Sequence, residues 1–256
     1  MNVGERRNKE KMALEMVMFD LDGTLLPMDM DEFTGGYFKM LAKKLEPYGY
    51  ELDSLVKSIW HGTAAMVRND GSCSNEEAFW KDFAGTYGER ALKDKVLFDE
   101  FYANEFDRAR QFCGFEQKAA ETVKWIKACG LRTALATNPL FPSVATETRI
   151  RWAGLEPDDF EFITTYENIS FCKPNPDYYR EVLKRAGMKA ESCLMVGNDV
   201  GEDMVAANLG MKVFLLTDCL INKFGEDIDK YPHGGFDDLR NYLQQISHTV
   251  YPQGNG

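Results

Sequence analysis

The chain has 256 residues, 44% of them hydrophobic, the length and composition of one large domain or two modest ones around a buried core. Its 30 lysines and arginines stand against 41 aspartates and glutamates, a formal charge of −11. That balance argues against nucleic acid and against an anionic membrane surface as charge-driven partners, because both require cations. It leaves room for a phosphorylated small molecule wherever positive charge is gathered locally.

Residues 1–11 are polar and mixed in charge, without the apolar stretch of a secretory leader, and read as a short disordered lead. No apolar run approaches the roughly 18 residues of a membrane span. Met16–Phe19 is an apolar run ending in Asp20-Leu21-Asp22-Gly23-Thr24, which predicts a buried strand stopped by a glycine turn. From Asp31 to about Gly114 the period becomes helical. Phe33, Tyr37, Met40, Leu41 and Leu45 form one stripe, closed by Pro47 and Gly49. Leu52, Leu55, Val56, Ile59, Trp60 and Val67 form a second. Ser74 and Glu77 have capping-box spacing ahead of Phe79, Phe83 and Tyr87. Leu97, Phe101, Phe106 and Phe112 predict a fourth helix. The aromatics read as core, and His61, Arg68 and Asn69 as a solvated face.

After this insert strands and helices alternate. Helices are predicted over Gln117–Ala128, over 142–153, over Pro176–Ala186 with Asn175 as cap, and over 200–209. Strands are predicted over 131–136, 160–164, 193–196 and Lys212–Leu216. Residues 231–236 read as a loop, and the polar tail from His248 reads as frayed. Alternation of this kind implies parallel strands joined by crossover helices. The expected fold is therefore a doubly wound, Rossmann-like α/β core (1–27 and 115–256) interrupted by an all-helical domain (28–114). Chain crossings near 26–29 and 114–116 are the expected hinges.

Cys73, Cys113, Cys129, Cys172, Cys193 and Cys219 are scattered and form no C-x-x-C pair, which suggests reduced, buried thiols of a cytoplasmic protein. His61, His233 and His248 are far apart, so a histidine-rich zinc site is not expected. A hard cation on oxygen ligands is the metal this sequence favours.

Ligands of open parallel sheets bind at the carboxyl ends of the strands. Four predicted ends carry polar groups: Asp20 and Asp22; Thr137 and Asn138; Lys173; and Asp199, with Asp203 four residues on. Carboxylates brought together there repel and raise one another's pKa. Mg²⁺ removes that conflict, since it takes oxygen ligands and keeps room for water and phosphate. Such a site suits phosphoryl transfer, one aspartate acting as nucleophile and another exchanging protons with the leaving oxygen.

These residues resemble the motifs of the haloacid dehalogenase-like hydrolases. Asp20-Leu21-Asp22-Gly23-Thr24-Leu25 is similar to the first motif, Thr137 to the second, Lys173 before proline to the third, and Gly197-Asn198-Asp199 with Asp203 to the fourth. Order and spacing fit over about residues 16–216, and the helical insert looks like the family's first-type cap. The resemblance implies a phosphatase in which Asp20 attacks phosphorus and Asp22 protonates the leaving alcohol and then activates water. It implies Mg²⁺ held by the side chains of Asp20 and Asp199 and the main-chain carbonyl of Asp22. Thr137, Asn138 and Lys173 would hold the phosphoryl oxygens, and Asp203 would orient Lys173 or a metal-bound water. Many relatives have Gly-Asp where this chain has Gly-Asn-Asp; the ligand is assigned to Asp199, with Asn198 as a neighbour.

The implied substrate is a small phosphorylated metabolite. Asp22 disfavours a dehalogenase, which has no leaving alcohol to protonate. A phosphonate hydrolase would need a cap lysine, for which Lys39, Lys43, Lys44 and Lys57 are candidates. A sugar-phosphate mutase on the same motifs and a catalytically silent binding protein both stay open, as does the oligomeric state.

Overall fold

A computed structural model describes residues 13–247 of the chain. The expected lead over 1–11 and the tail from 248, with His248, lie outside the described residues. Five parallel strands form one sheet in the order β2-β1-β3-β4-β5: β1 (Met16–Phe19), β2 (Arg132–Leu135), β3 (Cys193–Gly197), β4 (Lys212–Leu216) and β5 (His233–Gly234). Strand β1 lies between β2 and β3, with Met18 opposite Ala134 on one side and Met195 on the other. All four of its residues are buried, as expected of a parallel strand covered on both faces. Side chains alternate between the faces: Val17, Phe19, Leu194 and Val196 join one apolar cluster, and Met16, Met18, Cys193 and Met195 the other.

Between β1 and β2 the chain builds helices α1 (Met30–Leu45), α2 (Leu52–Val67), α3 (Asn75–Tyr87) and α4 (Arg90–Asn104). Asp29 caps α1 through Asp31 N and Glu32 N, and Ser74 with Glu77 forms the expected capping box of α3. The predicted fourth helix is split: α4 ends at Asn104, and Phe106–Phe112 is a 3₁₀ segment. The two linkers run side by side, Met28 bridging Cys113 and Gly114 N donating to Pro27 O at 2.7 Å. The insert shares an apolar cluster with the sheet: Phe106 stacks on Trp152 with centroids 5.2 Å apart, and Trp152 Nε1 donates to Asp107 Oδ1 at 2.8 Å.

Helices α5 (Gln117–Ala128), α6 (Ser143–Trp152) and α7 (Pro176–Ala186) lie where the sequence predicts. Three expectations need correction. Residues 160–164 form no strand beyond a single bridge between Ile163 and Leu135, because this segment runs along the edge of β2 for only a few bonds. The predicted helix over 200–209 is a turn followed by a 3₁₀ segment, Met204–Leu209, because the Asp199 carboxylate takes the amides of Gly201 and Glu202. The stretch read as a loop contains β5, and helix α8 (Phe236–Ile246) follows, burying Phe236, Leu239 and Leu243.

All six cysteines are free; Cys129, Cys172 and Cys193 are buried, and the other three are half-buried. No helix among the described residues is long and apolar enough to cross a membrane.

Candidate active site

The carboxyl ends of β1, β2 and β3 converge with the loop before α7. Asp20 follows β1 and is 7% exposed. Gly23 turns the chain at φ 79°, and a Cβ there would collide with the Asn198 side chain. Thr24 Oγ1 lies 3.1 Å from Asp20 Oδ2 and 3.0 Å from Asn198 Oδ1. Asn198 Nδ2 donates to Cys219 O at 2.6 Å, so this buried amide braces the first motif against the loop after β4.

Lys173 lies at the centre. Its ammonium donates to Asp20 Oδ1 at 2.9 Å and Asp203 Oδ1 at 2.6 Å, and its side chain is 1% exposed. Burial alone would lower its pKa, but the two carboxylates outweigh burial and hold it well above the ordinary lysine value. The same burial pushes Asp203 up to about 6, although Lys173 pulls the other way. Asp203 Oδ2 also accepts from Asp199 N at 3.0 Å, and a Cβ at Gly197 would strike this carboxylate.

Thr137 is buried at the end of β2, its carbonyl accepting from Thr164 Oγ1 at 2.7 Å and Tyr178 Oη at 2.8 Å. Asn138 accepts from Lys173 N at 3.3 Å and donates to Glu202 Oε2 at 3.0 Å. Burial, outweighing the pull of Lys173, pushes Glu202 up to about 7.

The predicted residues from all four motifs are thus brought together. Asp22 takes a different cation from Asp20 and Asp203: its Oδ2 pairs with Arg149 Nη1, from α6. Its Oδ1 is the one buried side-chain polar atom among the described residues without a hydrogen-bond partner. Burial raises the Asp22 pKa and the Arg149 guanidinium draws it back. Sequence reasoning missed Arg149, Glu202 and Asn198 as bracing groups. Arg149 carried no signal for this, because α6 has no apolar stripe in its sequence to mark the face it buries.

Among the described residues no three His, Cys, Asp or Glu side chains are placed to hold a metal ion by themselves. Two carboxylates and a carbonyl are a different donor set, and the chemistry here suits a hard cation. Three carboxylates, Asp20, Asp22 and Asp203, meet two cations, Lys173 and Arg149, while the Asp199 carboxylate accepts from backbone amides and Asp22 Oδ1 is unsatisfied.

From the insert, Asn75 N and Glu76 N donate to Ile169 O and Tyr166 O, at 3.0 and 2.8 Å. The fully buried Asn75 side chain lies 3.4 Å from both Pro139 O and Phe171 O. Asn69, expected on a solvated face, is half-buried and donates to Asn75 Oδ1 at 3.0 Å, whereas His61 and Arg68 are exposed as expected. Lys39, Lys43 and Lys57 are also exposed, and Lys44 pairs with Glu100 and Glu105. A cavity of about 120 Å³ is lined mostly by the insert, Tyr37, Phe98 and Tyr102 among others, with Phe141 and Tyr166 of the core closing it.

Residues 17–216 match the family described as haloacid dehalogenase-like hydrolase. Phosphoglycolate phosphatase 1 of Pseudomonas aeruginosa is 27% identical over 209 residues, covering 79% of this chain and 69% of that protein. The crystal structure of a 2-haloacid dehalogenase from Pseudomonas syringae pv. Tomato is similar with a TM-score of 0.60 at 19% identity, covering 91% of this chain and 99% of that one. The magnesium-bound HAD-hydrolase YfnB of Bacillus subtilis is similar with a TM-score of 0.52 at 17% identity, covering 91% and 99%. At such identities the two structures bear on the fold alone.

Proposed function

The chain belongs to the haloacid dehalogenase-like hydrolases, and on that premise we propose that it is a cytoplasmic, Mg²⁺-dependent phosphatase that hydrolyses a small phosphomonoester through an aspartyl-phosphate on Asp20. The observation that carries this reading is the buried lysine between two carboxylates: Lys173 Nζ at 2.9 Å from Asp20 Oδ1 and 2.6 Å from Asp203 Oδ1, with Asp22 on the turn that follows Asp20. The relatives named phosphoglycolate phosphatase support a phosphomonoester as substrate.

The carboxylates of Asp20 and Asp199 and the carbonyl of Asp22 would hold Mg²⁺, which when bound supplies the positive charge that lets an anionic ester approach these acids. Lys173 orients the Asp20 carboxylate for attack on phosphorus and adds positive charge for the phosphoryl oxygens. Thr137 and Asn138 supply hydrogen-bond donors to the same oxygens. Asp22 gives a proton to the leaving alcohol and later takes one from the attacking water. Asp203 keeps Lys173 in place. The docked insert excludes water from the reaction, and its side-by-side linkers at 26–29 and 114–116 are the hinges about which it opens for substrate.

The test is release of inorganic phosphate from a panel of phosphorylated metabolites and an aryl phosphate with Mg²⁺, beside Asp20→Asn. Phosphate release by the wild type and none by Asp20→Asn is expected. No turnover by the wild type, or equal turnover by both, overturns the proposal. An isomerised phosphosugar in place of free phosphate assigns the site to a mutase.

A further inference from the structure

Arg149 is among the largest side chains withdrawn from solvent, 0% exposed in the middle of α6. Burying a guanidinium is costly unless it is paired and its donors are satisfied. Its Nε donates to Ala145 O at 3.3 Å, its Nη2 lies 3.4 Å from Thr146 Oγ1, and its plane rests over the Phe141 ring at 4.2 Å from the centroid. Two of these contacts come from its own helix and the third from the loop carrying Thr137 and Asn138. Together they fix the guanidinium plane and leave Nη1 aimed at Asp22 Oδ2, the one carboxylate it pairs with among the described residues. An arginine fork held on three sides has little rotational freedom left. The carboxylate it grips is therefore held in one rotation, and the oxygen left without a partner is Oδ1.

We propose that Arg149 is a positioning residue for the reaction: by gripping Asp22 at Oδ2 it presents Oδ1 as the oxygen that exchanges the proton. The inference rests on the phosphatase reading and on the acid/base role given there to Asp22. In the first step an Asp20 oxygen bonds to phosphorus, the bond from phosphorus to the leaving oxygen breaks, and the proton on Asp22 passes to that oxygen. In the second, water bonds to phosphorus, its proton passes to Asp22, and the bond between phosphorus and Asp20 breaks to release phosphate. Both transfers use the same oxygen, so a carboxylate free to rotate loses both.

The experiment measures kcat and KM of Arg149→Gln across 4-nitrophenyl, phenyl and alkyl phosphates. A good leaving group departs without a proton and a poor one does not. The expected loss in kcat is about 100-fold or more for the alkyl ester and about tenfold or less for the 4-nitrophenyl ester, with little change in KM. In an Asp22→Asn background, where there is nothing left to position, Arg149→Gln should cost less than about threefold. Arg149→Lys, which keeps the charge without the fork, carries the same test if the Gln variant does not fold. A loss equal across the three esters, or losses that multiply in the double variant, reduces Arg149 to a structural residue and overturns the inference. Wild-type turnover abolished by Asp20→Asn but unaffected by the Arg149 changes overturns this inference alone; no wild-type turnover overturns the functional reading with it.

Discussion

Lys173 Nζ lies 2.6 Å from Asp203 Oδ1, and both side chains are 1% exposed. The pair ties the loop before α7 to the turn after β3, and through Asp20 it reaches the end of β1. Removing the lysine leaves two buried carboxylates without their cation. Lys173→Met should destabilise the metal-free chain by about 3–5 kcal/mol, read from urea denaturation, and abolish turnover. A variant as stable as the wild type would show that the carboxylates find another partner or protonate at no cost.

Glu202 provides a pH test. Burial raises its folded pKa from 4.5 to about 7, so between those values the folded chain binds more protons than the unfolded one. Its contribution to stability therefore falls as pH rises through that window, and the penalty is fully present above it. Glu202→Gln keeps an acceptor for Asn138 Nδ2 and removes the titration. The stability advantage of Glu202→Gln over wild type, measured without metal, should grow from pH 5 to pH 8; a constant difference would contradict the assignment.

Asn75 holds α3 of the insert against the two loops that carry Asn138 and Lys173. Its Nδ2 faces the carbonyls of Pro139 and Phe171, while its Oδ1 accepts from Asn69. Asn75→Ala should cost about 1–3 kcal/mol. Asn75→Asp should cost more, because it turns a donor toward two carbonyl oxygens into an acceptor. Urea midpoints in the order wild type, Ala, Asp are the expected result, and Asp equal to wild type would remove Asn75 as a clasp.

Burial pushes the Cys172 thiol up to about 12, with the nearby Glu202 charge adding to it. At pH 8 its thiolate fraction is on the order of one in ten thousand. Cys172 should resist iodoacetamide in the folded chain and react promptly in urea, as peptide mass mapping would record. Rapid alkylation in the folded state would mean that the segment before Lys173 opens readily.

Much of this molecule is legible from local pattern. The apolar run Met16–Phe19 ending in Asp-x-Asp-Gly-Thr marks a buried parallel strand and the glycine turn that follows it. Ser74 with Glu77, and Asn175 with Pro176, mark helix starts, since capping uses only neighbouring backbone. The period also marked where the fold changes from sheet to insert. At 160–164 and at β5 the deciding partner was distant in sequence or the segment very short, whereas at 200–209 it was local, the Asp199 carboxylate taking the amides of Gly201 and Glu202. The 160–164 segment has strand composition but lies along β2 for a single bridge. Strand β5 is two residues long and pairs only once β4 is in place.

The sequence by itself determined the order of the four polar strand ends and the residue types at each, because motif spacing and hydrophobic period are properties of adjacent residues. Only the tertiary structure decided which charges meet. It put Lys173 between Asp20 and Asp203, and it paired Asp22 with Arg149, 127 residues along the chain. The physical reason is burial. Once packing takes these side chains out of water, each carboxylate must find a cation or a donor within hydrogen-bond reach, and which one it finds depends on which helix is folded against it.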